Sequence, residues 1–119
     1  MADQPASAQA LARQFAIGVL ILERGDSEQR EKIFIAPHTR ITAGRSESNE
    51  LVLLSPAASQ RHFAVSADGS HAYVEDLGST NGVYLNDHLV ATRTILHSGD
   101  VLRVDSSSHI EFQALASNM

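Results

Sequence analysis

Short runs of alternating or continuous apolar residues, each cut off by turn-forming residues, follow one another along this chain. Phe15 to Arg24 is mostly apolar, with β-branched Ile17, Val19 and Ile21, and Gly25-Asp26-Ser27 then breaks it as a turn. Arg30 to Ala36 alternates, with Lys32 and Phe34 on one side and Ile33 and Ile35 on the other, until Pro37 stops the run. Arg40 to Gly44, Leu51 to Leu54, His62 to Ser66, Ala72 to Leu77, Val83 to Leu85, Leu89-Val90, Val101 to Val104 and His109 to Leu115 continue the pattern. Polar clusters such as Ser46-Glu47-Ser48-Asn49 and Ala67-Asp68-Gly69-Ser70 separate them. Asn86-Asp87 tolerates the positive φ of a tight hairpin turn.

Runs spaced about 8 to 12 residues apart predict an all-β fold, a two-sheet β-sandwich of about ten to eleven short strands. Each alternating strand must bury its apolar face on the opposite sheet. No helix of more than two turns is expected. Met1 to Gln14 is rich in Ala, Ser and Gln and reads as a flexible or partly helical N-terminal arm, residues 1–14. The domain then occupies 15–115, with 116–119 as a tail.

Composition narrows the function. A length of 119 residues suits one domain able to bury its own core. With no cysteine there is neither a disulfide framework nor a thiolate metal site, and a reducing cytoplasm is the expected location. The six histidines are scattered without ligand spacing, so neither a metal nor a cofactor is expected. A net charge of −5 argues against nucleic-acid or anionic-membrane partners. The apolar run from Phe15 to Leu22 falls far short of the ~20 residues that span a bilayer. It also lacks the flanks of a secretory signal. Nothing in the sequence assigns an oligomeric state.

Three loop segments carry the candidate chemistry: Gly44-Arg45, Ser59-Gln60-Arg61-His62, and Glu75-Asp76-Leu77-Gly78-Ser79-Thr80-Asn81-Gly82. Arg45 offers a planar fork of donors that matches two phosphate oxygens and never loses its charge. Ser59 and Thr80 offer hydroxyls, and Asn81 an amide. An alternative reading makes Ser59, His62 and Asp76 a nucleophile, base and orienter. Nothing sets Ser59 on a strained elbow with an oxyanion hole, so the chain is not read as an enzyme.

In this order, Gly-Arg, Ser-x-x-His and Ser-Thr-Asn-Gly resemble the forkhead-associated (FHA) domain family, over roughly residues 15–115. The resemblance implies an FHA/SMAD-like sandwich whose three loops meet at one edge. It also implies a phosphothreonine-dependent peptide- or protein-binding module in Ser/Thr-kinase signalling. On that resemblance Arg45, Ser59 and Thr80 contact phosphate, and Asn81 bonds the backbone of the bound peptide. Gly44, His62, Ser79 and Gly82 support the site, with His62 a brace rather than a ligand or base; Asn49 is read as another loop brace.

Gln60 departs from the pattern, because many members carry Arg or Lys directly after the serine. Here the charge stands one residue on, at Arg61, and adjacent residues of an extended segment point to opposite sides. Both residues are counted in the binding surface, with more of the phosphate resting on Arg45. The rival reading is an FHA-fold scaffold that binds its partner without phosphate. Neutral Gln60 favours it, and Arg45, Ser59 and Thr80 oppose it.

Overall fold

The structure of the protein, a computed structural model, describes residues 5–23 and 30–115. The turn expected at Gly25-Asp26-Ser27, the first four residues of the arm and the tail at 116–119 lie outside the described residues.

Among the described residues the chain forms one helix, α1 (Pro5–Phe15), and eleven strands: β1 (Gly18–Glu23), β2 (Arg30–Ile35), β3 (Arg40–Gly44), β4 (Leu51–Val52), β5 (Phe63–Ala67), β6 (Ala72–Asp76), β7 (Tyr84–Leu85), β8 (His88–Leu89), β9 (Thr94–Ile95), β10 (Val101–Arg103) and β11 (His109–Ala114). They make two sheets, of order β2-β1-β11-β10-β7-β8 and β4-β3-β5-β6-β9. The β3–β4 pair is parallel and the other pairs are antiparallel. This is the two-sheet sandwich the alternation predicts.

The period of two explains which residues fill it. In the six-stranded sheet Leu20 faces Ile33 on one side and Phe112 on the other, and all three enter the core. In the other sheet Val65 lies between Ile41 and Val74, again all core. Phe63, Leu20, Ile35, Leu51, Leu102 and Ile110 are fully buried. Each such side chain contributes about 1.5–3 kcal/mol of burial.

Two elements depart from the sequence expectation. Over Pro5–Phe15 the arm takes the helical of its two expected forms, as an 11-residue helix of about three turns, longer than the two-turn limit expected. Proline is tolerated at a first helical position, and the Ala, Leu, Gln and Arg that follow are good helix formers. Tertiary contact fixes it. The Gln9 side chain accepts from the Phe34 amide at 2.9 Å and donates to its carbonyl at 3.3 Å, covering the open edge of β2. The Arg13 guanidinium stands 5.7 Å from the centre of the Phe34 ring. The second departure is β9, two residues in a polar stretch where no alternation can show. No helix among the described residues is long and apolar enough to cross a membrane.

The β7–β8 hairpin turns at Asn86 and Asp87, both at positive φ (49° and 71°) as expected of that dipeptide. Asn86 is further held by Asp100 and by the Val101 amide, each at 2.9 Å, whereas Asp87 gains only a 4.0 Å ion pair with Arg103 at an exposed position. Asp87→Gly removes the left-handed strain and loses little. It should raise stability by about 0.5 kcal/mol, seen as a higher urea midpoint with an unchanged slope.

Candidate functional site

Register brings the three candidate loops to one end of the five-stranded sheet. Phe63 pairs with Ala43 on one side and Asp76 on the other, so the end of β3, the start of β5 and the end of β6 lie level. The loops that leave or reach these points, 45–50, 53–62 and 77–83, therefore emerge together.

Gly44 lets the first two loops close. A Cβ built there would stand 2.2 Å from the carbonyl oxygen of Gln60 and 2.9 Å from Cα of Arg61. The 59–62 backbone thus lies directly on the end of β3. The Arg45 amide donates to Ser59 O at 2.9 Å, Ser46 N to Gln60 O at 3.2 Å, and His62 N to Ala43 O at 2.8 Å. Asn49, almost fully buried, donates its side-chain amide to the carbonyls of Ser46 (2.7 Å) and Gln60 (2.8 Å).

His62 joins the third loop to these two. Its ring is fully buried, Nδ1 accepts from the Ser59 amide at 3.0 Å, and Nε2 lies 2.8 Å from Gly82 O. An acceptor at Nδ1 puts the proton on Nε2, which donates to the Gly82 carbonyl. Both ring nitrogens are thereby used in bracing loops.

The 77–83 turn is built on Asp76. Its carboxylate accepts from the amides of Gly78 (3.0 Å) and Ser79 (3.1 Å) and from the Ser79 hydroxyl, and that hydroxyl in turn accepts from Gly82 N at 2.9 Å. Gly78 and Gly82 hold φ of 78° and 81°, backbone that a side chain opposes. The turn then meets its neighbour. Thr80 N donates to Ser59 Oγ at 3.1 Å, and the Asn81 amide donates to Ala57 O at 2.9 Å.

Arg45, Gln60, Arg61, Thr80 and Asn81 are exposed at this end, and Ser59 is half-buried. Among the described residues the guanidiniums of Arg45 and Arg61 have no hydrogen bond or ion pair, and the Thr80 hydroxyl is likewise free. Ser59 Oγ accepts from Thr80 and keeps its own hydrogen to donate. The result is a rigid surface of unsatisfied donors. No group of three or more His, Asp or Glu side chains among the described residues is placed to hold a metal.

Sequence reasoning did not find one partner of this surface, the β10–β11 loop. Asp105 there accepts from the Ser55 hydroxyl, and from Ser107 and Ser108 of its own turn at 2.8–3.1 Å. Fifty residues separate Ser55 and Asp105, so only the Asp-Ser-Ser-Ser turn itself was legible. Beside this tie opens a cavity of about 410 Å³ whose lining residues are half apolar, with Leu22, Leu53 and Val104 among them, and half polar, with Glu23 and the groups of the tie itself.

The sequence profile described as FHA domain matches residues 41–105, more than half the chain and all three loops. The chain belongs to the FHA domain family. The FHA domain-containing protein FhaB of Mycobacterium tuberculosis is 41% identical over 68 residues, which are 57% of this chain and 44% of that protein. The chain thus spans less than half the length of this relative. In fold it is similar to the FHA domain of CT664 from Chlamydia trachomatis, with a TM-score of 0.77 and 18% identity over 83% of this chain and 98% of the other. It also resembles the MEK1 FHA domain solved in complex with a HOP1 phosphothreonine peptide (TM-score 0.66, 29% identity, 83% and 97% covered).

Two outcomes follow for this FHA domain. His62→Ala leaves the Ser59 amide and Gly82 carbonyl without partners and opens a hole in a filled interior. It should cost about 3 kcal/mol, read as a lower thermal midpoint; an unchanged midpoint would mean that His62 does not hold the loops. The Ser55 hydroxyl, chief among its donors, holds the Asp105 carboxyl below the usual aspartate range. A depressed folded-state pKa gives stability present above the unfolded value of about 3.9 and lost as pH falls through the lower folded one. Wild type should therefore lose stability below about pH 4, and Asp105→Asn should lose less over that same window. Asp68, also held low by its own turn, is unchanged between the two proteins, so their difference isolates position 105.

Proposed function

We propose that this FHA domain is a phosphothreonine-dependent peptide-binding module, an adaptor in Ser/Thr-kinase signalling rather than an enzyme, and that it works in the cytoplasm. The observation that carries this reading is the position of Ser59. It is bonded to both neighbouring loops and stands beside an unpaired Arg45 and a free Thr80 hydroxyl. A phosphothreonine brings about −1.5 to −2 charge and three acceptor oxygens. Arg45 supplies a two-pronged, charged donor, and Ser59 and Thr80 supply hydroxyls to the remaining oxygens. Asn81 keeps one amide hydrogen on Ala57 and has its second hydrogen and its oxygen for the peptide backbone. Gln60 and Arg61 flank the phosphate. Gly44, His62, Ser79 and Gly82 keep the loops in place. The MEK1 FHA domain, solved with a phosphothreonine peptide, is a relative at a level of identity that makes this chemistry a fair expectation here.

Calorimetry with a phosphothreonine peptide selected from a library tests the reading. Hydrogen bonds to charged groups contribute roughly 1.5–3 kcal/mol each. Arg45→Ala, losing two of them, should bind about 100-fold or more weakly while keeping its thermal midpoint. Equal affinity for the dephosphorylated peptide, or undiminished affinity in Arg45→Ala, would replace this reading with the phosphate-independent scaffold.

A further inference from the structure

Asn81-Gly82 is also a reactive dipeptide. Asn81 is the only asparagine of the chain followed by glycine. A glycine leaves the backbone nitrogen after an asparagine unshielded, so that nitrogen can attack the side-chain amide carbon. Both reacting groups are engaged in this fold. The Gly82 amide, which would be the nucleophile, donates to Ser79 Oγ at 2.9 Å, and that hydroxyl is itself anchored on Asp76. The Asn81 nitrogen, which would be the leaving group, donates to Ala57 O at 2.9 Å. Asn81 is exposed, so water reaches it freely.

We propose that Asn81-Gly82 is a latent site of spontaneous deamidation, kept closed by Ser79 and Ala57 and opened when the 77–83 turn comes loose. In the reaction the Gly82 nitrogen gives its proton to solvent base and bonds to Cγ of Asn81. Nδ2 takes up a proton from solvent and leaves as ammonia, closing a cyclic imide. Water then adds to either imide carbonyl, yielding aspartate or isoaspartate at position 81. Aspartate sets a carboxylate against Ala57 O, where an amide donor now stands. Isoaspartate takes Cγ into the main chain, lengthens the turn by one methylene and carries its free carboxylate on Cα. Both products lose the tie to Ala57. Either also brings a negative charge beside Arg45, Ser59 and Thr80. That this charge switches peptide binding off rests on the function proposed above; the modification itself does not.

The test ages the full chain at mildly alkaline pH and follows the peptide containing position 81 by mass spectrometry and isoaspartate detection. Wild type is incubated in native buffer and in unfolding urea, beside Ser79→Ala and Asn81→Gln in native buffer. Two hydrogen bonds must break before attack, so native wild type should convert about tenfold or more slowly than unfolded wild type. Ser79→Ala, with its fold checked by circular dichroism, should convert faster than native wild type, and Asn81→Gln, which could close only a slower six-membered ring, should convert far more slowly. Equal rates in the native and unfolded chain overturn the proposal, and so does a folded Ser79→Ala that converts no faster than wild type. Should Ser79→Ala not fold, the comparison of native with unfolded wild type decides alone. Converted protein is then titrated with the phosphothreonine peptide. Conversion that leaves affinity intact counts against the role of Asn81 in binding and leaves the latched modification site standing.

Discussion

Contact between the 59–62 backbone and the end of β3 is what the rest of the site hangs on. It exists because Gly44 has no side chain, since a Cβ there would lie 2.2 Å from Gln60 O. Lift that backbone and three main-chain bonds from Ala43, Arg45 and Ser46 go together. His62 goes with them, and His62 is the link to Gly82 on the far loop. Asn49 guards the same crossing from the other side, through Ser46 and Gln60. The positions of Arg45, Ser59 and Thr80 are therefore set by one close approach of backbone to backbone. No ion pair is spent in holding them, although the Asp76 carboxylate anchors the turn that carries Thr80.

That separation matters for electrostatics. A chain of net charge −5 presents a site with two unpaired arginines. Three carboxylates of the neighbouring segments are occupied by donors of their own. Asp76 takes two amides and a hydroxyl of its turn, Glu50 takes the amide and hydroxyl of Thr42, and Asp105 is ringed by serines. Buried or half-buried carboxylates need such partners in any case. The Arg45 guanidinium itself is in no ion pair among the described residues, so a dianion bound as proposed above would break none to reach it.

How much of this could be read beforehand depended on the range of each interaction. Strands that bury one face wrote their own pattern, as in β2, where Ile33 and Ile35 enter the core and Lys32 stays out. The Asn86-Asp87 turn was equally legible, because positive φ is a local demand on residue type. β9 carries too few residues to alternate. The length of α1 was underestimated because its anchor, Gln9 on Phe34, spans 25 residues. At the site the residue types and their order were legible, while their convergence was implied by the family resemblance alone; its physical basis is the level register of Ala43, Phe63 and Asp76. Ala57 and Ser55 gave no signal at all, since one acts through its carbonyl and the other through a partner fifty residues away.

Gln60 shows how scaffold and charge divide within a single residue. Its carbonyl accepts from Ser46 and Asn49 and is part of the crossing over Gly44, whereas its side chain is exposed. Any residue but proline can supply that carbonyl while keeping its amide, so the side chain at 60 is free to vary in charge without disturbing the loops. The consequence has a limited size. One more exposed charge near a bound anion contributes about 1 kcal/mol or less, roughly a fivefold change in affinity. Two charged hydrogen bonds from a fixed guanidinium contribute several times that. Under the proposed phosphopeptide reading, a neutral residue at 60 therefore trims affinity, and the placement of Arg45 by Gly44 and Ser59 governs it.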